Sequence, residues 1–304
     1  MTQTLAVQHP YDLQMTVAYN RTDKAPARQG SGGWFWRVQR TPEGPVTVAM
    51  RQPEPHRVEV RGWGPGRDWA MAHLDRWLGL NDDPSGFEAH HPMIRDQWRR
   101  HPGLRIGATL EPLEVLLWTI AGQRVTTASA QRSWREMKHI WGAAPPEPTG
   151  GMRVPPELRL PPCPDTLSQL SYAHLHRVGL ERSRAKTVLE VCRRRKRITA
   201  LGELEPEDAR QRLMSLPGIG PWTANRVAIV AWGHPDTVQN GDYWLPHMIV
   251  HALTGRPRSS DEEMLSVLDV YRPQRTRAVR LIATTNHTAP RYGAKLPAIN
   301  NRGR

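Results

Sequence analysis

Two stretches of this sequence carry residues whose types and spacing suit chemistry. The first is Leu213-Met214-Ser215-Leu216-Pro217-Gly218-Ile219-Gly220-Pro221-Trp222-Thr223-Ala224. Gly218 and Gly220 can take φ > 0 or approach another backbone closely at no Cβ cost. Pro221 brings a preset φ to the first position of a helix. Such a hairpin leaves N–H groups around Gly218, Gly220 and Trp222 unpaired at a positive helix end, a seat for a phosphate. The second stretch lies eighteen residues past Trp222 and reads Asn240-Gly241-Asp242-Tyr243. Asp242 there offers a carboxylate. The bland readings stand beside these: an ordinary helix–turn–helix corner, and an N-cap aspartate after Asn-Gly.

The elements that must position these residues are legible nearby. Glu207 to Leu213 has helix-favouring composition, and Ala224, Val227, Ala228 and Ala231 recur on one face of a helix running to about Trp232. Trp244 to Leu253 is a further apolar helix. Upstream, Leu113, Leu116, Leu117 and Ile120 form a stripe begun near Pro112 and stopped at Gly122. A second helix there carries Trp134, Met137 and Trp141, and Ala121-Gly122-Gln123-Arg124-Val125 is the small-residue joint between the two. Residues 143–164 are rich in Pro and Gly and predict an ordered loop or internal linker. Two short helices (167–170 and 175–180) and a longer one with Ala185, Val188, Leu189 and Cys192 follow. The longer helix is expected to end in the cationic run Arg193–Arg197, which suits a helix C-terminus as well as it suits DNA. Asp261 to Val270 predicts another helix, the stretch Arg272–Arg280 opens the last, and the basic tail from about Ala289 reads as loosely held.

Residues 1 to about 80 have strand-and-turn composition. Leu5, Val7, Leu13, Met15 and Val17 alternate with polar residues, and Trp34–Val38, Val46–Met50 and Val58–Val60 are aromatic or β-branched runs. Gly-rich and Pro-rich turns punctuate them, at residues 30–33, 42–45 and 62–66. Trp34 and Trp36 are expected on the core face, and a helix is expected from Arg67 to Leu80. His90, His91 and His101 lack the spacing of a ligand set.

The chain has 304 residues, enough for two or three domains. Its 42 Lys and Arg against 29 Asp and Glu give a net charge of +13, which favours a polyanionic partner. Cys163 and Cys192 alone are too few for a four-cysteine iron–sulfur cluster or a disulfide framework. No run reaches the length of a membrane span and the N-terminus lacks a signal-peptide design, so a cytoplasmic, nucleoid-associated monomer is expected.

The sequence LPGIGPWTA together with GDY resembles the helix-hairpin-helix DNA glycosylase superfamily, nearest its bacterial 3-methyladenine DNA glycosylase II (AlkA-like) branch; HPGLRIGATLEPLEVLLWTIAGQRVTTASA extends the likeness, which covers about residues 85–285. The resemblance implies an α+β fold, with an N-terminal antiparallel β-rich domain (1–85) packed on an all-α helix-hairpin-helix core (86–290), then the tail 291–304. It implies that Asp242 is catalytic in a monofunctional enzyme of base excision repair, which flips damaged, alkylated purines from double-stranded DNA and leaves an abasic site. Bifunctional relatives carry a lysine where this chain has Trp222, which has no amine to form a Schiff base. Trp222, Tyr243, Arg226 and Gln274 are implied around the base; Gln123, Arg124, Gly218, Gly220, Pro221 and Thr223 on DNA. Arg124 would fill the gap left by the flipped nucleotide. No cofactor is required, although the backbone carbonyls of Met214, Leu216 and Ile219 would hold Na⁺ or K⁺. Arg226 and Gln274 depart from the aromatic residues of the family pocket, and a cation there disfavours a cationic base. The alternatives are a glycosylase for a deaminated or oxidised base and a non-catalytic DNA-binding module.

Overall fold

The computed structural model describes residues 2–8, 10–19 and 33–290, so the Gly30–Gly32 turn and the tail 291–304 lie outside the described residues. The N-terminal part holds β1 (Thr2–Ala6), α1 (Leu13–Ala18), β2 (Phe35–Thr41), β3 (Gly44–Glu54) and β4 (Arg57–Trp63). The strands form an antiparallel sheet in the order β1-β4-β3-β2, with Phe35 opposite Met50 and Met50 opposite Val60. Val46, Val48, Met50, Val58 and Val60 bury one face against Leu13 and against α2 (Arg67–Ala72) and α3 (Leu74–Trp77). A fully buried valine or leucine contributes about 1.5–3 kcal/mol, which accounts for the choice of β-branched residues here.

Three expectations for this region are corrected. Leu13, Met15 and Val17 belong to a helix, because Asp12 caps it by accepting the Met15 N–H at 2.9 Å and Leu13 and Thr16 then share the buried face. Trp34 and Trp36 flank Phe35, which alone of the three joins the core shared with the helices; Trp34 is itself buried, at 7% exposure, on the opposite sheet face, and Trp36 is half-buried there. Trp34 lies between the guanidinium groups of Arg51 and Arg61, 4.6 and 5.1 Å from its ring, and Trp36 stacks on Trp63. The helix expected from Arg67 to Leu80 also breaks, at His73.

The helical part has two cores. One gathers α5 (Pro112–Ala121), α6 (Thr127–Trp141), α7 (Pro164–Ser168), α8 (Tyr172–Arg177), α9 (Arg182–Arg193), α10 (Arg195–Ala200), α11 (Pro206–Met214) and α12 (Pro221–Ala231). The other gathers α4 (Pro92–Arg100), α13 (Leu245–Thr254), α14 (Asp261–Leu268) and α15 (Arg275–Thr284). The cationic run therefore straddles the α9–α10 junction, and two of its members are engaged: Arg194 with Glu190 and Arg195 with Asp165. The Pro/Gly-rich loop lies against the sheet, where the Pro146 carbonyl accepts from Thr47 Oγ1 at 2.7 Å and the Pro161 carbonyl from Arg40 Nε at 2.9 Å.

Buried arginines fasten these parts together. Arg277, with no exposed surface, donates to both oxygens of Asp82 at 2.8 and 2.7 Å and to the Leu104 carbonyl at 2.9 Å. Arg280 donates to the carbonyls of Arg105 and Met15. Paired this way the charges escape the large penalty of isolated burial. Asp82, the Leu104–Arg105 stretch and α1 are consequently tied to α15, and the seam between the two helical cores falls between α12 and α13.

Candidate active site

The hairpin between α11 and α12 is built by two buried apolar anchors, Leu216 and Ile219, with glycines beside them. Gly218 is required: its φ is +82°, and a Cβ would stand 2.3 Å from Thr187 Oγ1 on α9. Gly220 is different. It has φ −93°, and no atom lies within 4 Å of where its Cβ would be. Internal packing does not require a glycine here. Among the described residues no hydrogen bond uses the N–H groups of Gly218, Gly220, Trp222 or Thr223. They surround the positive end of α12.

Asp242 stands across the seam from this hairpin. Its Oδ1 accepts the backbone N–H groups of Trp244 and Leu245, both at 2.8 Å, so it caps the start of α13. Its Oδ2 accepts the indole N–H of Trp222 at 3.0 Å. Asp242 is only half-buried and Trp222 likewise. A carboxylate has about four lone-pair sites, so three donors fix its orientation and leave room for a water or a substrate group. Capping and a further role are thus compatible in one side chain.

The loop that presents Asp242 is held by residues that sequence reasoning did not single out. Asn225, 5% exposed on α12, donates to the Val238 carbonyl at 2.9 Å and to the Asn240 side chain. Arg210 on α11 donates to Asn225 Oδ1 at 3.0 Å, and Arg210 in turn pairs with Glu207, whose carboxyl is pulled down to about 2 chiefly by that guanidinium. On the far side Asp261 accepts the Gly241 N–H at 2.7 Å. A polar residue at the buried position Asn225, within an otherwise apolar helix face, was the one signal available.

The α5–α6 joint reaches the same place. The Gln123 amide donates to the Gly218 carbonyl at 3.0 Å and to Thr223 Oγ1 at 2.9 Å, tying the joint to the hairpin. Thr223 itself is 2% exposed, and its hydroxyl serves Gln123. Pro221 is exposed at the hairpin tip. Trp222 packs its ring edge toward Gly122, 3.8 Å from where a Cβ would stand. Arg124 is exposed, makes no hydrogen bond or ion pair among the described residues, and holds φ +55°. A long side chain in the left-handed region costs energy and marks a position held for some purpose.

Arg226 follows Trp222 by one turn of α12, on the same face, with its guanidinium 5.0 Å from the Tyr19 ring. The other two residues expected around the base are placed differently. Gln274 is buried at the start of α15, and its Oε1 accepts Arg277 Nε at 2.7 Å; its role is to orient that buried guanidinium. Tyr243 is 83% exposed and meets His247 edge-on, so among the described residues it lines an open surface rather than an enclosing wall.

The same fold is found in a known DNA glycosylase. The 3-methyladenine DNA glycosylase from Archaeoglobus fulgidus superposes with a TM-score of 0.73 over 93% of this chain and 98% of that one, at 18% identity. No family model matches the chain. By sequence it is similar to the DNA-3-methyladenine glycosylase of Bacillus subtilis, 23% identical over 215 residues, 66% of this chain and 67% of that protein. It is also similar to the probable bifunctional transcriptional activator/DNA repair enzyme AlkA of Mycobacterium tuberculosis, 27% identical over 179 residues, 58% of this chain and 35% of that protein. The chain thus spans about a third of the length of the latter. The resemblance carried by LPGIGPWTA and GDY therefore holds both for the fold and for the relatives, and these lie on the 3-methyladenine glycosylase branch.

Proposed function

We propose that the protein is a DNA glycosylase that turns a damaged base out of duplex DNA and hydrolyses its N-glycosidic bond. The observation that carries this reading is the placement of Asp242: a carboxylate oriented by three N–H donors, across a narrow seam from a hairpin whose N–H groups are free for phosphate. The hairpin would hold the strand without regard to sequence. Arg124 would occupy the gap in the stack, and the extruded sugar would meet Asp242. As the C1′–N bond breaks, the electron pair leaves with the base and positive charge grows on the sugar, where the carboxylate stabilises it. Water then adds to C1′ and loses its proton to solvent, leaving an abasic site. The relatives are named for 3-methyladenine, which supports a damaged purine as the base.

Trp222 stands beside Asp242 and supplies no amine, which supports hydrolysis without strand cleavage. The carbonyls of Met214, Leu216 and Ile219 suit Na⁺ or K⁺, being hard neutral oxygens at a helix C-terminus and its turn. Leu216 O also accepts the Ile219 N–H at 3.1 Å and keeps a second lone pair for an ion. Replacing K⁺ by tetramethylammonium at equal ionic strength should weaken duplex binding if that site is filled.

The test is to incubate the protein with duplexes carrying methylated, deaminated or oxidised bases and identify released bases by mass spectrometry. Release with strands that break only on added alkali, and with no borohydride-trapped adduct, is expected. A trapped adduct would contradict the monofunctional reading; absence of release from every duplex would remove the enzyme reading.

A further inference from the structure

Arg226 is set apart from the other arginines of the interior. Arg277 and Arg280 are buried on acceptors already named; Arg184 donates to the Ala121 carbonyl at 2.8 Å and Arg275 to both oxygens of Asp236. Arg226 is half-buried, and among the described residues it has neither hydrogen bond nor ion pair. Its one contact of note is the face of Tyr19, whose ring also takes Arg280, at 4.6 Å. Two guanidinium groups therefore share one aromatic ring, beside the turn of α12 that carries Trp222. Burial pulls Arg280 down to about 10, with the Arg277 charge and, less, the Arg226 charge adding to it against Tyr19 and Asp82.

Such a ledge has a clear preference. A guanidinium presents five N–H donors and no acceptor. Desolvated and unmatched, it favours a partner with carbonyl oxygens and repels positive charge, and in partly buried surroundings that repulsion is several times stronger than in water. The aromatic ring that would otherwise attract a cation is already occupied on its faces by Arg226 and Arg280.

We infer that Arg226 is a specificity-determining residue which selects neutral, carbonyl-bearing damaged bases and acts against cationic N-alkylated purines. This rests on the glycosylase reading of Asp242 and narrows its substrate. The cation at this position subtracts from the attraction that an aromatic pocket offers to a charged purine, so the acceleration that the enzyme gives such a base is reduced.

The experiment compares two purines that share the six-position carbonyl and differ in charge, hypoxanthine (neutral) and 7-methylguanine (cationic), each in duplex. Single-turnover release is measured for wild type and for Arg226→Gln, and every rate is divided by spontaneous loss of the same base. Wild type is expected to accelerate hypoxanthine release at least 10-fold more than 7-methylguanine release. In Arg226→Gln that preference should fall at least 10-fold, chiefly by a gain on 7-methylguanine. A wild type that accelerates 7-methylguanine more, or a preference that moves less than twofold in the variant, overturns the inference while leaving the glycosylase reading intact. Failure of wild type to release either base or any other damaged base overturns both. Where Arg226→Gln does not fold, Arg226→Met, which keeps the length of the side chain and removes the charge, gives the same comparison, and the same outcomes decide it.

Discussion

Trp222 donates its indole N–H to Oδ2 of Asp242 at 3.0 Å, and this bond spans the seam between the two helical cores. Trp222 thus holds the orientation of the Asp242 carboxylate. Trp222→Phe keeps the ring and removes the donor. A hydrogen bond to a charged group is worth about 1.5–3 kcal/mol, so base release should slow roughly 10- to 100-fold. An unchanged single-turnover rate would show that the indole bond does not matter.

The two hairpin glycines should separate folding from DNA binding. Gly218→Ala meets both φ +82° and the Thr187 hydroxyl, so it should cost about 1–2 kcal/mol for the backbone alone and more for the clash. Adding Thr187→Ala should return part of that loss. Gly220→Ala meets nothing, so its melting temperature should match wild type while duplex affinity falls. Equal effects of the two substitutions on melting and on affinity would remove this distinction.

Arg124 should matter only where a gap needs filling. Arg124→Ala, which keeps the Cβ and so leaves the backbone at φ +55° no easier, is expected to lower release from a duplex at least severalfold more than release from a single strand. Parallel losses on both substrates would assign Arg124 a general role in binding.

What was legible in the sequence was whatever local pattern dictates. The hairpin follows from Pro, two glycines and the flanking periodicity, and the start of α13 from Asn-Gly-Asp; both stand where expected. The failures come from tertiary choices. Leu13, Met15 and Val17 alternate like a strand, yet Asp12 caps a helix there and the core needs Leu13 and Thr16 together. The sequence pattern around Trp34 cannot tell which face of β2 meets the helices, and Arg51 and Arg61 were needed to stabilise the tryptophan on the other one. Gln274 follows a proline in a polar run, and only the packing of Arg277 against Asp82 shows that its amide is engaged. The braces on the Asp242 loop, Asn225 and Arg210, act over distances that no local motif encodes.

The contact between the sheet and α5 carries a pH dependence. Glu111 is pushed up to about 8 by burial, with Glu114 adding to the shift and Arg37 opposing it. Between the ordinary value of 4.5 and about 8 the folded protein keeps a proton that the unfolded chain releases, so stability falls as pH rises through that window. Glu111→Gln should therefore be more stable than wild type at pH 8, by on the order of 1 kcal/mol, and the gap should close near pH 4.5. Denaturant midpoints measured across that range test it; a gap that does not change with pH would assign the effect to packing.

The central claim is that the Asp242 carboxylate stabilises the developing charge on the sugar. Asp242→Asn keeps the shape and can still cap α13 through its carbonyl oxygen, but it removes the negative charge. The direct measurement is single-turnover base release by this variant under saturating enzyme, on a duplex that wild type cleaves, with duplex affinity and melting temperature recorded on the same preparations. The expected result is a loss of release of at least about 10³-fold, with melting little changed and affinity equal or higher, since repulsion from phosphates is relieved. Release within about tenfold of wild type, at full folding and binding, would contradict the account.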